Sequence, residues 1–154
     1  MKKVMFISST GGHLTELLKL EKLFKKYDYH IVTEKTKSNQ NLKDKYKVSY
    51  LIYGTKKNII LYPFILLINC FISLFLFIKY RPKVVITTGT HTAGPMCMIA
   101  KIFRRKVIYI ETFANIHRKT VTGRILYHFA DMFIVQWESM LELYPKAIYG
   151  GWIF

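Results

Sequence analysis

The sequence predicts an α/β protein of the Rossmann-like class, with a mostly parallel sheet and helices on both of its faces. Short runs rich in Val and Ile alternate with helical patterns, as they do in folds built from right-handed strand–helix–strand units. Hydrophobic residues make up 51% of the 154 residues, which is enough for a full core and excludes a disordered, collagen-like or coiled-coil chain. The length is typical of one domain, so we treat residues 1–154 as a single domain.

Seven segments have the short, mostly apolar composition of strands that are buried in a parallel sheet. In chain order they are Lys3–Ser8, Tyr29–Thr33, Lys47–Tyr53, Lys83–Thr88, Lys106–Ile110, Met132–Val135 and Ala147–Tyr149. Apolar residues at helical spacing predict helices over Leu14–Phe24, Met96–Phe103 and Ile125–Phe129. Strands and helices alternate along the whole chain, so no linker or repeat divides it.

The segment Ile59–Ile78 contains no charged residue and is as long as a helix that crosses a membrane. If it crossed, the strands before and after it would lie on opposite sides of the bilayer and could not join one sheet. We therefore favour a helix that inserts shallowly into one membrane face, with Leu67, Phe71 and Phe75 in contact with lipid. A core helix between two strands and a membrane-spanning helix are the alternatives.

Basic residues flank this segment on both sides: Lys56 and Lys57 precede it, and three more lie within 79–83. Each Lys or Arg close to an anionic membrane surface contributes about 1 kcal/mol to binding. The apolar run after Met1 is too short for a signal peptide. We therefore expect a peripheral or monotopic protein at the cytoplasmic face of the inner (plasma) membrane.

The chain carries 24 Lys and Arg against 9 Asp and Glu, a formal net charge of +15 at pH 7. A charge of this size favours binding to nucleic acid, an anionic membrane surface or phosphorylated substrates. No helix-turn-helix, zinc-finger or RNA-recognition motif is present, so nucleic acid is not an expected partner. A basic nucleic-acid-binding protein or a stand-alone membrane protein is the alternative function. Cys70 and Cys97 lack the spacing of metal ligands, so we expect neither a disulfide framework nor a bound metal.

The turn after the first strand, Ser8–His13, is rich in small residues. Gly11 and Gly12 let the backbone approach a phosphate, and the start of a helix supplies free N–H groups. The turn has neither the Gly-x-Gly-x-x-Gly pattern of dinucleotide binding nor a Walker lysine. His13 lies at the carboxyl edge of the predicted sheet, where open α/β sheets bind ligands. It is a candidate base or a candidate hydrogen-bond donor to a phosphate. The alternative is a tight structural turn with Thr10 as the helix N-cap.

A second loop of similar composition follows a strand at the same edge. It contains Thr88, Gly89, His91 and Thr92, and this repetition of hydroxyls, glycine and imidazole indicates a second ligand-facing turn. A histidine that only caps the loop is the alternative interpretation of His91.

Glu111 opens a third loop at this edge. Its carboxylate is a candidate general base, or a group that orients a hydroxyl, because a proton must leave an attacking hydroxyl in a transfer reaction. A carboxylate that interacts with the dipole of a helix start is the alternative. Arg118, with Lys119 and Arg124 nearby, offers a cationic edge to a diphosphate.

Four motifs, in their order and spacing, resemble one family. They are Gly-Gly-His-Leu-Thr-Glu at 11–16, Thr-Thr-Gly-x-His-Thr at 87–92, Tyr-Ile-Glu-Thr-Phe-Ala at 109–114, and Ala-Asp-Met-Phe-Ile-Val-Gln-Trp-Glu at 130–138 followed by Tyr-Pro-Lys-Ala-x-Tyr-Gly-Gly at 144–151. The chain is similar over essentially its whole length to the capsular and exopolysaccharide biosynthesis proteins of the PssD/CpsF type. These are bacterial relatives of the membrane-anchor subunit of the asparagine-linked-glycosylation N-acetylglucosaminyltransferase.

The resemblance implies the N-terminal half of a GT-B glycosyltransferase, the half that in MurG-like enzymes faces the membrane and a lipid-diphosphate-linked acceptor. It implies a heterodimer in which a separate catalytic subunit binds the UDP-sugar, so that this chain alone has little hexosyltransferase activity and holds no cofactor of its own. His13 and Glu111 are then the candidate catalytic residues. The candidate residues for the acceptor or its diphosphate are Gly11, Gly12, Thr88, Gly89, His91, Thr92 and Arg118.

The sequence departs from this family at two places. Asn115 stands where such proteins often have Arg, and the N-terminal spanning helix of the eukaryotic relatives is missing, which leaves membrane binding to Ile59–Ile78.

The last three residues, Trp152, Ile153 and Phe154, form an apolar group that we expect to bind the catalytic partner. The alternative is that they fold back and complete the core of this chain.

Overall fold

The computed structural model of the protein describes residues 1–54 and 60–154. Its strands are β1 (Lys3–Ile7), β2 (Asp28–Glu34), β3 (Val48–Leu51), β4 (Val84–Thr87), β5 (Lys106–Ile110), β6 (Met132–Val135) and β7 (Ile148–Tyr149). They form one sheet in the order β3–β2–β1–β4–β5–β6–β7, and every neighbouring pair is parallel. The order reverses between β1 and β4, so a crevice opens beside the carboxyl ends of these two strands. The predicted strands are confirmed, with ends that differ by at most two residues.

The described part of the chain contains six α-helices and two short 3-10 helices. The α-helices are α1 (Gly12–Leu18), α2 (Glu21–Phe24), α3 (Leu61–Tyr80), α4 (Gly94–Ile102), α5 (Val121–Leu126) and α6 (Ser139–Leu143). The 3-10 helices span Gln40–Asp44 and His91–Ala93.

Two predicted helices differ from the observed ones. The single helix over Leu14–Phe24 is wrong, because the amide of Leu20 donates to the carbonyl of Leu17 at 3.1 Å, and this tighter bond ends α1. The helix predicted over Ile125–Phe129 overlaps α5 only at Ile125 and Leu126, and its last three residues lie beyond the end of α5. The helix begins earlier because the Thr120 side chain accepts a hydrogen bond from the Gly123 amide and caps it. The sequence pattern does not predict α6, whose five residues are too few to show a helical period.

Alternate residues of each strand point to opposite faces of the sheet, and each face has its own buried cluster. Met5 and Ile7 of β1 pack on one face with residues of α3, α4, α5 and α6. Val4 and Phe6 pack on the other face with residues of α1 and α2. Helices therefore pack on both faces, as expected for a parallel sheet, and the loops at the carboxyl edge are left to form a site.

Helix α3 turns its two small polar residues toward the protein and three of its phenylalanines, Phe64, Phe71 and Phe75, away from it. Its buried residues include Asn69 and Ser73. The Asn69 side chain accepts a hydrogen bond from the Ile52 amide at 2.9 Å and donates one to the Ile52 carbonyl at 2.8 Å. Asn69, which the sequence pattern leaves without a role, therefore holds the chain that leaves β3 against α3.

The opposite side of this helix is an exposed surface that we call the α3 apolar face. Its exposed residues are Leu61, Phe64, Leu67, Ile68, Phe71, Leu74, Phe75 and Ile78. The alternative of a pure core helix is therefore wrong. By its length and its mean hydropathy of 2.4, α3 is long and apolar enough to cross a membrane. However, β3 before it and β4 after it belong to one sheet, which a crossing would split.

The observed helix runs to Tyr80, two residues beyond the predicted segment. The predicted start, Ile59, lies outside the described residues, as do the flanking Lys56 and Lys57.

Candidate functional site

Three loops that the sequence singles out meet at the carboxyl edge of the sheet. The first follows β1, the second follows β4 and the third follows β5, and these three strands are neighbours. The amide of Ser9 donates to the carbonyl of Gly89 at 3.2 Å, which joins the first loop to the second. The sheet therefore brings together residues that are far apart in the sequence.

His13 lies in the first turn of α1 and is tied to the second loop by two reciprocal hydrogen bonds. Its Nδ1 is 2.7 Å from the carbonyl oxygen of Thr88, and the Thr88 hydroxyl donates to the His13 carbonyl at 2.8 Å. A carbonyl oxygen only accepts, so Nδ1 carries the proton in the neutral ring. Nε2 is therefore left with a lone pair that is able to accept a proton.

Gly89 lies directly beside this imidazole. Its φ of +98° is one that residues with a side chain rarely adopt, and a Cβ there would lie 3.5 Å from the His13 ring. Gly11, before α1, also has a positive φ of +81°. The two glycines therefore have a backbone role in shaping the turns around His13.

A cavity of about 920 Å³ lies between the second loop and the segment that leads into α5. Five of its lining residues are cationic or become so on protonation: His91, His117, Arg118, Lys119 and Arg124. Asn115, Thr90 and Thr120 add polar groups to the lining. The predicted Arg118 and His91 therefore line the same cavity, whose charge suits a phosphorylated ligand.

Glu34, at the end of β2, is a buried carboxylate at this edge that sequence reasoning missed. It accepts a hydrogen bond from the Thr92 hydroxyl at 2.8 Å, and one of its oxygens is 3.9 Å from Nε2 of His91. The hydroxyl of Thr92 is thus directed at Glu34. In the sequence Glu34 precedes Lys35 and looks like a residue of an exposed turn, so no local signal marks it.

Glu111 is only 1% exposed, and both of its oxygens are occupied. Oε1 accepts hydrogen bonds from the Tyr109 hydroxyl at 3.0 Å and the Thr112 amide at 3.2 Å, and Oε2 accepts one from the Tyr144 hydroxyl at 3.3 Å. The Thr120 hydroxyl is 3.2 Å from each oxygen. Burial raises the pKa of Glu111, and these hydrogen bonds oppose the rise. Its carboxylate lies in a network of hydroxyl donors and is not among the groups that line the cavity.

Glu16 belongs to the first motif but was not among the predicted site residues. Its Oε1 accepts hydrogen bonds from the Thr112 hydroxyl at 2.7 Å and the Phe113 amide at 3.1 Å. Glu16 therefore fastens the third loop to α1. Its place in the motif beside His13 was the signal that could have found it.

The three terminal residues divide into two groups. Trp152 is 72% exposed, and its ring meets the rings of Phe113 and Trp137 edge-on, with centroids 5.4 and 6.0 Å away. Ile153 and Phe154 are half-buried and pack against the cluster beneath α1 and α2. Trp152 is thus available to a partner, whereas Ile153 and Phe154 lie against their own sheet.

Comparisons with known proteins match this chain to one family and one fold. The family described as "Oligosaccharide biosynthesis protein Alg14 like" matches residues 4–153. The UDP-N-acetylglucosamine transferase subunit ALG14 of Yarrowia lipolytica is 28% identical over 173 residues, which cover 97% of this chain and 80% of the relative. The subunit of the same name from Homo sapiens is 26% identical over 175 residues, covering 96% of this chain and 81% of the relative.

Among solved structures, MurG of Acinetobacter baumannii is similar with a TM-score of 0.71 at 21% identity, covering 90% of this chain and 43% of MurG. The UDP-GlcNAc 2-epimerase of Methanocaldococcus jannaschii has a TM-score of 0.72 at 15% identity, covering 94% of this chain and 42% of the epimerase. The chain thus spans less than half the length of either protein. At these identities the similarity shows the fold alone, and it confirms the predicted Rossmann-like fold of one GT-B half.

The resemblance drawn from the four motifs is therefore confirmed in its broader form, as kinship with subunits of a UDP-N-acetylglucosamine transferase. The narrower assignment to the PssD/CpsF type stays a prediction.

Proposed function

Because the chain belongs to the Alg14 family of oligosaccharide biosynthesis proteins, we propose that it is a subunit of a UDP-sugar-dependent hexosyltransferase and binds a lipid-diphosphate-linked acceptor. Its relatives in Yarrowia lipolytica and Homo sapiens are subunits of a UDP-N-acetylglucosamine transferase by name. The single observation that carries the proposal is the cationic cavity at the carboxyl edge of the sheet. His13 does not line it, but its ring is bonded to the Thr88 carbonyl of the same loop that brings Thr90 and His91 to the cavity.

The cavity is the proposed site of the acceptor diphosphate. A diphosphate carries several negative charges, and guanidinium groups bind phosphate oxygens through paired hydrogen bonds. Arg118 and Arg124 supply two such groups on one side, and His91 lies on the other. Gly11, Gly12, Thr88 and Gly89 remain proposed contacts of the acceptor, because they form the turns around His13.

His13 is the proposed general base. In the reaction the acceptor hydroxyl oxygen forms a bond to the anomeric carbon, the bond from that carbon to the UDP oxygen breaks, and UDP leaves with the electron pair. The proton of the hydroxyl passes to Nε2 of His13, whose lone pair is fixed by the Nδ1–Thr88 hydrogen bond. Glu111, the other candidate, is less suited because its oxygens already accept hydrogen bonds from Tyr109, Tyr144 and Thr120.

The UDP-sugar is proposed to be held by a separate catalytic subunit, in keeping with the word "subunit" in the names of the relatives. The exposed Trp152 is the proposed anchor for that partner, since large aromatic side chains contribute most to the affinity of protein interfaces. Ile153 and Phe154 pack against the sheet and are proposed to hold the segment that carries Trp152. No metal or cofactor on this chain is part of the proposal.

The α3 apolar face is proposed to lie in the cytoplasmic leaflet of the membrane, so that the protein is peripheral or monotopic. Lys79 and Arg81 at the end of α3, with Lys83 just beyond, are proposed to contact anionic headgroups. This position would hold the lipid of the acceptor and the site on the same side of the membrane.

We further propose that the product belongs to a capsular or exopolysaccharide. This finer assignment is supported by the four motifs at 11–16, 87–92, 109–114 and 130–151, whose order and spacing resemble those of the PssD/CpsF type.

The test is an activity assay on lipid-linked acceptor with the product of the neighbouring gene as the partner. We expect the chain alone to turn over little UDP-sugar, and the mixture to be active. His13→Gln should lower the rate of the mixture by about 10²-fold or more, the usual effect of losing a general base. The matched control is His128→Gln, since His128 is exposed and lies away from the cavity. Robust turnover by the chain alone, or full activity of His13→Gln, would contradict the proposal.

A further inference from the structure

The proposed mechanism leaves a buried carboxylate without a task. Glu111 is held by the hydroxyls of Tyr109, Thr120 and Tyr144, and we call these four residues the Glu111 network. Burial of a carboxylate costs desolvation free energy, and the surrounding hydroxyl donors offset that cost. The network is therefore needed to keep Glu111 in this position.

The members of the network come from three separate parts of the chain. Tyr109 and Glu111 belong to β5 and the residue after it, Tyr144 follows α6, and Thr120 is the N-cap of α5. Tyr109 and Tyr144 are anchored in the core, where both side chains are almost fully buried. Thr120 is therefore the member that joins the core to the segment carrying the cations of the cavity.

Glycine at 123 shows how closely this joint is packed. A Cβ on Gly123 would lie 2.4 Å from Oε2 of Glu111, 2.6 Å from the Thr120 hydroxyl and 2.7 Å from the Tyr144 hydroxyl. Distances under 3.0 Å are not tolerated between such atoms, so no other residue fits at 123 without moving the network. The Gly123 amide also donates to the Thr120 hydroxyl at 2.8 Å.

The cations that face the cavity lie on both sides of this joint. Arg118 and Lys119 immediately precede Thr120, and Arg124 immediately follows Gly123. The Lys119 ammonium group lies 5.1 Å from the centroid of the Tyr144 ring, a second contact between the network and the cationic segment. A displacement of Thr120 would therefore move all three cations together.

We propose that Glu111 is a positioning residue, which holds Thr120 and thereby fixes where Arg118, Lys119 and Arg124 meet the diphosphate of the acceptor. It acts through Thr120 and transfers no proton. The role of the cations rests on the proposed function, whereas the fixing of the segment does not, so the two parts are tested separately.

The test compares Tyr144→Phe and Glu111→Gln with Tyr127→Phe in the full-length chain. Tyr144→Phe removes one donor to Glu111 and keeps the ring beside Lys119. Tyr127→Phe is the matched control, because the Tyr127 hydroxyl is a hydrogen-bond partner of the Lys146 amide and lies outside the network. Hydrogen exchange of residues 117–126 reports the fixing of the segment, and calorimetry with inorganic pyrophosphate reports binding in the cavity.

We expect the Gly123 amide to exchange about tenfold faster in both network variants, the effect of losing one hydrogen bond to a charged group. We expect the Kd for pyrophosphate to rise by about the same factor, and the control to match the wild type in both measurements. In the active mixture, the variants should raise KM for the acceptor and leave kcat nearly unchanged, which a lost base would not do.

Other outcomes separate this inference from the proposed function. Unchanged exchange at 117–126 in both network variants would overturn it. Exchange that is faster throughout the chain, with a lower Tm, would also overturn it, since Glu111 would then only stabilise the core. If wild-type protein does not bind pyrophosphate, the proposed acceptor site fails, and local exchange still decides whether Glu111 fixes the segment.

Discussion

Replacement of Phe71 and Phe75 by Ser should release the protein from membranes without unfolding it. The two side chains are 65% and 63% exposed on the α3 apolar face. A phenylalanine presents about 200 Å² when fully accessible, so each ring offers roughly 130 Å² to lipid. At about 25 cal/mol per Å², insertion of each ring contributes about 3 kcal/mol, or roughly a hundredfold in partitioning. The two rings together contribute about 6 kcal/mol, so we expect the double variant to partition roughly ten-thousandfold more weakly.

The assay is sedimentation with vesicles that contain anionic lipid, at low and high salt. The variant should keep the Tm of the wild type, because the exposed rings contribute little to the core. Ile148→Ser is the matched surface control, since Ile148 is 51% exposed on β7. This strand lies at the edge of the sheet opposite to β3, the strand that precedes α3. Phe77→Ser is the contrasting control, because Phe77 is buried on the same helix and its loss should destabilise the fold by about 3–5 kcal/mol.

Three results would refute this reasoning. If the Phe71 and Phe75 variant bound vesicles as tightly as the wild type, the α3 apolar face would not be the membrane contact. If it unfolded while Ile148→Ser did not, the two rings would be covered in the protein in solution. Binding that disappeared completely at high salt would assign the contact to the basic residues alone.

Three further predictions concern stability and assembly. Burial lowers the pKa of His30 from 6.5 to about 4, so the unfolded chain takes up a proton before the folded one does, and stability should fall by about 2 kcal/mol between pH 7 and pH 5. Urea unfolding at the two pH values measures this loss of stability. An equal loss in His30→Gln, which has no imidazole at this position, would contradict the prediction. Asn69→Ala should lower the free energy of unfolding by about 1–3 kcal/mol, because the amide and carbonyl of Ile52 lose their hydrogen-bond partner. A variant as stable as the wild type in the same unfolding assay would show that these groups find other partners. Trp152→Ser should weaken capture of the catalytic partner in a pull-down by more than tenfold and leave the Tm unchanged. Tyr53→Ser, at the opposite edge of the sheet, is the control and should have no effect on capture. Equal capture by both variants would contradict the proposed anchor.

The strands were predictable because each is a short apolar run, and burial on both faces of a parallel sheet demands that composition. The helices were less predictable. The apolar residues at 125–129 drew attention to the end of α5, whereas its start depends on the cap formed by Thr120, which carries no apolar signal. On α3 hydropathy alone gives no orientation, because Asn69 is buried and Phe71 is exposed.

The positions of the candidate site residues were predictable only where these residues lie in the turns that follow strands. The positions of His13, His91 and Arg118 were predicted in this way, since the carboxyl edge of the sheet brings such turns together, whereas their roles stay predictions. Glu34 was not, because its partner Thr92 is 58 residues away in the sequence. The setting of Glu111 was not predictable either, since the Tyr144 hydroxyl that it binds is 33 residues distant.

The reciprocal hydrogen bonds of His13 and Thr88 also bear on the order in which the protein assembles. These residues are 75 positions apart, and all of α3 lies between them. The entropy of closing so long a loop opposes the first contact between β1 and β4, so we expect this pairing to form late in folding. During synthesis α3 emerges before β4, and its aromatic side chains are then without the rest of the sheet. The hydrogen bond that fixes the tautomer of His13 therefore forms only once β1 and β4 have come together, and we expect vesicles that bind the α3 apolar face to speed refolding to that state.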